Sequence, residues 1–287
     1  MLKQISALFL LLLVVGCAET GSKQLSLKTE TPAPQLAAML SAADATRDNE
    51  DYGEALLIYQ QILVNDAKNI PAQYGVAECL FALGSPKDAK PIFEALVENK
   101  DYRTLALQGK GLTLLAIGQR EAAEKLLREA VEADPALWRA WNALGEIADL
   151  RHLPDEAQAS YARALAISPS SPAIINNIGY SKLLASHPEQ ATAEFRKALA
   201  LDPTSTTILN NLRLAMAVSG SYAEAVKSTS PGQAPTVYNN VGYIAMKRGD
   251  YAVSQAYLVK AMEGSASYDP VAAKNLDQLK ALQAAKQ

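Results

Sequence analysis

"WNALGEIADLRHLPDEAQASYARALAISP", residues 141–169, carries a residue pattern from which the fold can be predicted. In its second half Tyr161 follows Ala157 by four residues and Ala164 comes three later, so these side chains share one face of an α-helix. Gly145 lies twelve residues before Ala157, on a preceding helix. Two helices approach closely only where small residues remove the side-chain bulk between them. The stretch therefore predicts two helices packed closely across a short turn.

The same pattern returns every 34 residues. Prolines recur at Pro135, Pro169 and Pro203, and six alanines form one column at the same interval. A fixed period of this length is typical of proteins built from stacked helical units, so we expect an all-α chain with almost no strand. The alanine column is Ala55, Ala89, Ala123, Ala157, Ala191 and Ala225, the large residues that follow are Tyr59, Phe93, Leu127, Tyr161 and Phe195, and the small residues on the first helices are Ala43, Ala77, Gly111, Gly145 and Gly179.

The quoted stretch resembles the tetratricopeptide repeat, whose pattern is matched in order and spacing by Trp141, Leu144, Gly145, Ala157, Tyr161, Ala164 and Pro169. The resemblance implies an α-solenoid of helix–turn–helix repeats, wound as a right-handed superhelix whose first helices line the concave face. We expect seven repeats and a C-terminal capping helix, at residues 36–69, 70–103, 104–137, 138–171, 172–205, 206–234, 235–269 and 270–287.

The sixth repeat is predicted to be incomplete. The pentapeptide NNIGY at residues 176–180 returns as NNVGY at residues 239–243, which is 63 residues later instead of the 68 expected for two repeats. The missing five residues fall in the second helix of the sixth repeat, where Thr229 takes the place of the large apolar residue. Pro231 and Gly232 must end that helix. We expect a shortened helix there and an altered angle between the units on either side.

Composition excludes some partners. The chain has 287 residues, a formal net charge of −3 and no run of Lys and Arg, so it lacks the basic surface of a nucleic-acid-binding protein. The 49% of hydrophobic residues can bury a substantial core.

Sequence motifs of catalysis or metal binding are missing. His152 and His187 are the only histidines and fall in the turns of two neighbouring repeats, too far apart for a shared metal ion. No metal-binding, phosphate-binding or nucleophile motif occurs, and residues 270–287 are too few for a further domain. We therefore expect neither enzyme activity nor a cofactor.

The N-terminal segment is predicted to be an export signal. Lys3 precedes an apolar run that is too short to span a bilayer, and Gly16 stands before Cys17. Residues 14–17 resemble a bacterial lipobox, which implies a signal peptide at 1–16, lipidation of Cys17 and a polar tether at 17–35. Ala18 after the lipidated residue implies the outer membrane, with the array facing the periplasm. The alternative is an ordinary signal peptide with a chance cysteine.

The other cysteine, Cys79, has an apolar context and is predicted to be a core residue.

Function is expected on the concave face. In this family the second, fifth, sixth, ninth, twelfth and thirteenth positions of each repeat line the groove, and here the fifth and sixth are often asparagine. A row of amides offers donors and acceptors to the main chain of an extended peptide. The alternative is that the sixth-position amides bond the neighbouring helix. The predicted groove residues are Asn142, Asn176, Asn177, Tyr180, Asn210, Asn211, Asn239, Asn240, Tyr243 and Asn275.

The C-terminal part suggests a biological setting. Residues 238–282 resemble the TadD family of Flp (tight adherence) pilus assembly lipoproteins through Gly242, Tyr243, Gly249, Asp250, Pro270, Asn275 and Leu276. The resemblance implies a scaffold for pilus or secretin components; the alternative is a periplasmic adaptor for cell-wall enzymes or outer-membrane protein assembly. Chaperone-tail binding is disfavoured, because Ala173, Asn176, Thr207, Asn210, Thr236 and Asn239 stand where a carboxylate clamp needs Lys or Arg.

Overall fold

A computed structural model describes residues 33–227, 229–265 and 269–285. Throughout this part of the chain the only regular secondary structure is α-helix, which confirms the all-α prediction. The predicted signal peptide, Cys17 and the tether up to residue 32 lie outside the described residues. Within the described ranges, no helix combines the length and the apolar character needed to cross a bilayer.

The helices alternate as pairs along the chain. The first helices of the pairs are α1 (Ala33–Asp48), α3 (Ile70–Ala82), α5 (Arg103–Ala116), α7 (Trp138–Leu150), α9 (Pro172–Leu184), α11 (Thr206–Val218) and α13 (Ala234–Arg248). The second helices are α2 (Tyr52–Asn65), α4 (Pro86–Leu96), α6 (Arg120–Ala133), α8 (Pro154–Ile167), α10 (Pro188–Leu201), α12 (Tyr222–Ala225) and α14 (Tyr251–Gly264), and α15 (Pro270–Ala284) closes the described chain.

Helix starts follow from local chemistry. The side chains of Asn69, Ser171, Ser205 and Asp269 cap α3, α9, α11 and α15 by accepting a backbone N–H of the first turn. Proline occupies the first turn of several helices, where its missing N–H has no intrahelical role.

Every pair turns through one residue with positive φ at the same repeat position. Glycine takes this conformation without steric cost, whereas His152 and Ser186 adopt it with a side chain. The role of His152 is thus that of a turn residue, and His187 directly precedes α10. The seven positive-φ residues are Glu50, Gly84, Gly118, His152, Ser186, Gly220 and Gly249.

The core runs through the stack as a series of interfaces between successive helices. All six alanines of the predicted column are fully buried. The ring of Tyr161 lies against Gly145, and that of Phe195 against Gly179, so closely that an added Cβ would lie 2.6 Å and 2.8 Å from them. The small residues of the first helices therefore leave the space that the large residues of the second helices occupy. Cys79 is also fully buried, as predicted, and burial raises the pKa of its thiol to about 11.

The sixth repeat has lost most of its second helix, as predicted. Helix α12 contains four residues, whereas the other second helices contain 11 to 14. In the other repeats the next first helix packs against a full second helix, but here α13 packs directly on α11. Val237 and Val241 of α13 are buried in one cluster with Leu212 and Met216 of α11.

Candidate functional site

The inner side of the solenoid is formed by the first helices. Each first helix contacts the first helix of the next pair, while the second helices pack mainly on first helices. Side chains at the predicted groove positions of α7, α9, α11, α13 and α15 therefore lie on neighbouring helices along one side of the stack. Among the described residues these helices carry all the asparagines and tyrosines predicted for the groove.

The asparagines form a ladder between successive repeats. The Nδ2 of Asn177 donates to the Oδ1 of Asn142 at 3.2 Å, and the Nδ2 of Asn211 donates to the Oδ1 of Asn176 at 2.9 Å. In both cases a sixth-position amide bonds the fifth-position amide of the preceding repeat. The same tie recurs at the C-terminal end, where Asn275 donates to Asn239 at 2.9 Å.

These ties support the structural alternative for Asn177, Asn211 and Asn275, because each bond joins two helices. They leave binding capacity unused, since a second N–H remains on each Nδ2 and an amide oxygen accepts more than one bond. The ladder also fixes the orientation of its amides, which lowers the entropy that a ligand must remove on binding.

The ladder is interrupted at the incomplete sixth repeat. By equivalence Asn240 should donate to Asn210, but no such bond is formed, and both residues are exposed. In the described chain the Asn210 side chain has no hydrogen-bond partner, while Asn240 only accepts a 3.5 Å bond from Asn239. The shortened α12 changes how α13 meets α11 and leaves these two amides free to face a ligand.

Two tyrosines add exposed aromatic area next to the ladder. Tyr180 on α9 is 45% exposed and Tyr243 on α13 is 40% exposed. Aromatic rings supply large contact area at low entropic cost, which suits recognition of another chain.

A pocket of about 390 Å³ opens where the ladder is interrupted. Arg213 lines it and was missed by the sequence reasoning. The available signal was the small-residue column, which continues through residue 213 and is broken there by arginine. The other lining residues are Asn210, Asn211, Leu214, Val237, Asn240, Val241, Tyr243 and Ile244.

The N-terminal half of the groove side is occupied by the chain itself. Arg139 of α7 reaches across α5 to form an ion pair with Glu78 of α3, and its guanidinium lies 5.9 Å from the ring centre of Phe81. Sequence reasoning also missed this pair. It spans the groove side between the second and fourth repeats, so the open surface lies in the C-terminal half.

A second buried network joins α7, α8 and α9. Asp149 accepts hydrogen bonds from Tyr161 at 2.9 Å and from Ser181 at 2.7 Å. Burial, and then the negative charge of Asp149 and its hydrogen bond, raise the pKa of the Tyr161 hydroxyl. Because these polar groups satisfy one another, the network stabilises the repeat interface and leaves nothing free for chemistry.

The arrangement can recognise a ligand by shape and hydrogen bonding. No group of three or more His, Cys, Asp or Glu side chains in residues 33–227, 229–265 and 269–285 is arranged to hold a metal ion. The amides, tyrosines and the pocket match the needs of an extended peptide, which presents main-chain N–H and C=O groups along its length.

Comparison with known protein families supports the predicted helical repeats. Models described as tetratricopeptide repeat match residues 47–103, 109–172 and 235–263, which together make up about half of the chain. Tetratricopeptide repeat protein 7A of Homo sapiens is 33% identical over 92 residues. The chain spans 11% of the length of that relative and of the similar human protein 7B, which is 30% identical over 91 residues.

Solved structures share the fold. A thermophilic tetratricopeptide repeat protein of Thermus thermophilus superposes with a TM-score of 0.54 at 20% identity, covering 67% of this chain and 98% of its own. A tetratricopeptide repeat protein of Parabacteroides merdae superposes with a TM-score of 0.53 at 12% identity, covering 86% of this chain and 100% of its own. At these identities the likeness concerns the fold alone.

Proposed function

This chain belongs to the tetratricopeptide repeat family, and on that premise we propose that it is a non-catalytic scaffold whose groove, formed by α7, α9, α11, α13 and α15, holds an extended segment of another protein. The observation that carries the proposal is the asparagine ladder with two exposed tyrosines beside it. The ladder bonds tie helices together, but the exposed amides of Asn210 and Asn240 lack that tie and remain free for a ligand.

Binding would combine two kinds of contact. The amides of Asn210 and Asn240, which lack the ladder tie, pair with the main chain of the bound segment, and this tolerates many sequences. Tyr180 and Tyr243 pack on its side chains and supply apolar area. The Arg139–Glu78 pair limits the bound length to the C-terminal repeats.

For the cellular setting we propose a lipid-anchored protein of the bacterial outer membrane, facing the periplasm and acting in Flp pilus biogenesis through secretin assembly or stabilisation. The lipobox-like residues before Cys17 and the C-terminal resemblance support this setting. Two acyl chains suffice for a stable anchor. The second candidate, a periplasmic adaptor for cell-wall enzymes or outer-membrane protein assembly, is favoured by the same lipobox and groove and needs no pilus machinery.

Deletion of the gene tests the pilus setting. We expect loss of surface pili and of multimeric secretin, because on this proposal the protein supports secretin assembly. Electron microscopy and immunoblots of unheated envelope samples measure both, and the control is the deletion strain carrying the wild-type gene. Normal pili together with normal secretin multimers in the deletion strain would contradict the pilus role and favour the adaptor.

A further inference from the structure

Arg213 occupies a position at which the other repeats have a small residue. The equivalent residues are Gly145, Gly179 and Gly242, where an added Cβ would lie 2.6 to 2.8 Å from Tyr161, Phe195 or Leu258 of the second helix. In the sixth repeat that large residue is replaced by Thr229, which lies beyond the end of the four-residue α12. The arginine is tolerated because the side chain that would exclude it is absent.

Nothing in the described part of the chain neutralises this arginine. Its side chain has neither a hydrogen bond nor an ion pair there, and its Nε is a buried donor without a partner. Only 8% of the residue is exposed. Burial lowers the pKa of the guanidinium, and no described acidic group contributes an opposing effect. Burying the Nε–H without a hydrogen-bond partner costs stability, so the presence of Arg213 calls for a reason outside folding.

The pocket around Arg213 is suited to binding a negatively charged group. Asn210 and Asn240 place two exposed amides at its rim, and Leu214, Val237 and Tyr243 provide apolar walls. A guanidinium binds a carboxylate through two parallel hydrogen bonds, and such a bond is stronger where water is excluded. The pocket volume of about 390 Å³ admits an acidic side chain and part of its neighbour.

We propose that this pocket binds the carboxylate of an Asp or Glu side chain within the partner segment, with Arg213 as its counter-ion. The inference rests on the proposed groove function and adds a specificity element to it. An internal side chain is favoured over a C-terminal carboxylate, because the ladder continues on both sides of the pocket, through Asn142 and Asn177 before it and through Asn239 and Asn275 after it. A segment that follows the ladder crosses the pocket and continues beyond it.

Selection of peptides tests the inference. A phage-displayed library of random peptides is panned on the full-length protein and, in parallel, on its Arg213→Met variant, which keeps the aliphatic stem and removes the charge. We expect peptides from the unaltered protein to share one acidic position and those from the variant to lack it. One selected peptide, labelled with a fluorophore, should lose about 30-fold in affinity for the variant. Changing its acidic residue to the corresponding amide should cause a similar loss, whereas C-terminal amidation should not.

A second readout does not depend on binding. Because the Nε of Arg213 is buried without a partner, Arg213→Met should raise Tm by about 3 °C. A fall in Tm would show that the arginine is a structural residue and would overturn the inference. Selected peptides without a shared acid, or an affinity changed less than about twofold by Arg213→Met, would overturn it while leaving the groove function intact. Failure of the unaltered protein to select any peptide would contradict the groove function itself.

Discussion

Gly145→Arg is expected to lower the free energy of unfolding by at least about 4 kcal/mol, because it combines overpacking with a buried charge. It places in an intact repeat the residue that the sixth repeat carries at the same position. A Cβ at residue 145 would lie 2.6 Å from the ring of Tyr161, whose second helix α8 is complete. The Tyr161 hydroxyl is bonded to buried Asp149, so the ring cannot move aside freely. Urea unfolding followed by circular dichroism measures the loss.

The matched control is the same substitution at Gly53. This glycine lies in α2, is exposed, and has no atom within 4 Å of an added Cβ. Gly53→Arg should change stability by no more than about 0.5 kcal/mol. Equal effects at the two positions would contradict the account of the small-residue column, and with it the explanation of why arginine is tolerated at residue 213.

Combined replacement of Tyr180, Asn210 and Tyr243 by alanine should weaken peptide binding by about 100-fold or more. The three side chains are exposed, and Asn210 makes no hydrogen bond in the described part of the chain, so the change removes groove contacts and spares the core. Tm should stay within about 2 °C of the parent value. Fluorescence anisotropy with a peptide selected on the unaltered protein measures the affinity.

The matched control replaces three exposed residues of second helices, Lys125, Arg196 and Gln255, by alanine. Their helices face away from the groove, so affinity should be unchanged. If both triple variants bind the peptide as the parent does, the bound segment lies elsewhere and the groove assignment is wrong.

Much of the fold is readable from the sequence because its signals are local. Helices α3, α9 and α11 begin at the predicted repeat starts Ile70, Pro172 and Thr206, since their caps and prolines act within one turn. Helix α7 also begins at its predicted start, Trp138, although it has no side-chain cap. A shortened second helix in the sixth repeat was predictable for the same reason, because Pro231 and Gly232 prevent a helix from continuing past them. The helix ends earlier than these residues require, at Ala225, and the sequence did not predict that.

The site was only partly readable, because its important features depend on contacts between repeats. The sequence predicts a row of asparagines, but which amides bond one another depends on how far apart adjacent helices lie. The ion pair between Arg139 and Glu78 joins residues separated by another repeat, and no periodic pattern in the sequence predicts it. Arg213 could have been found as a break in a column, yet its burial and lack of a partner appear only when the helices are packed.

Photo-crosslinking in living cells can identify the surface of this protein that contacts its partner. The photoreactive amino acid p-benzoylphenylalanine is placed either at Tyr180, in the groove, or at Arg196, exposed on the second helix α10. We expect a covalent adduct with another protein from position 180, its loss when Asn210 and Tyr243 are also replaced by alanine, and no such adduct from position 196. Adducts from position 196 alone, or adducts from position 180 that survive the two alanine substitutions, would contradict the claim that the groove holds the partner.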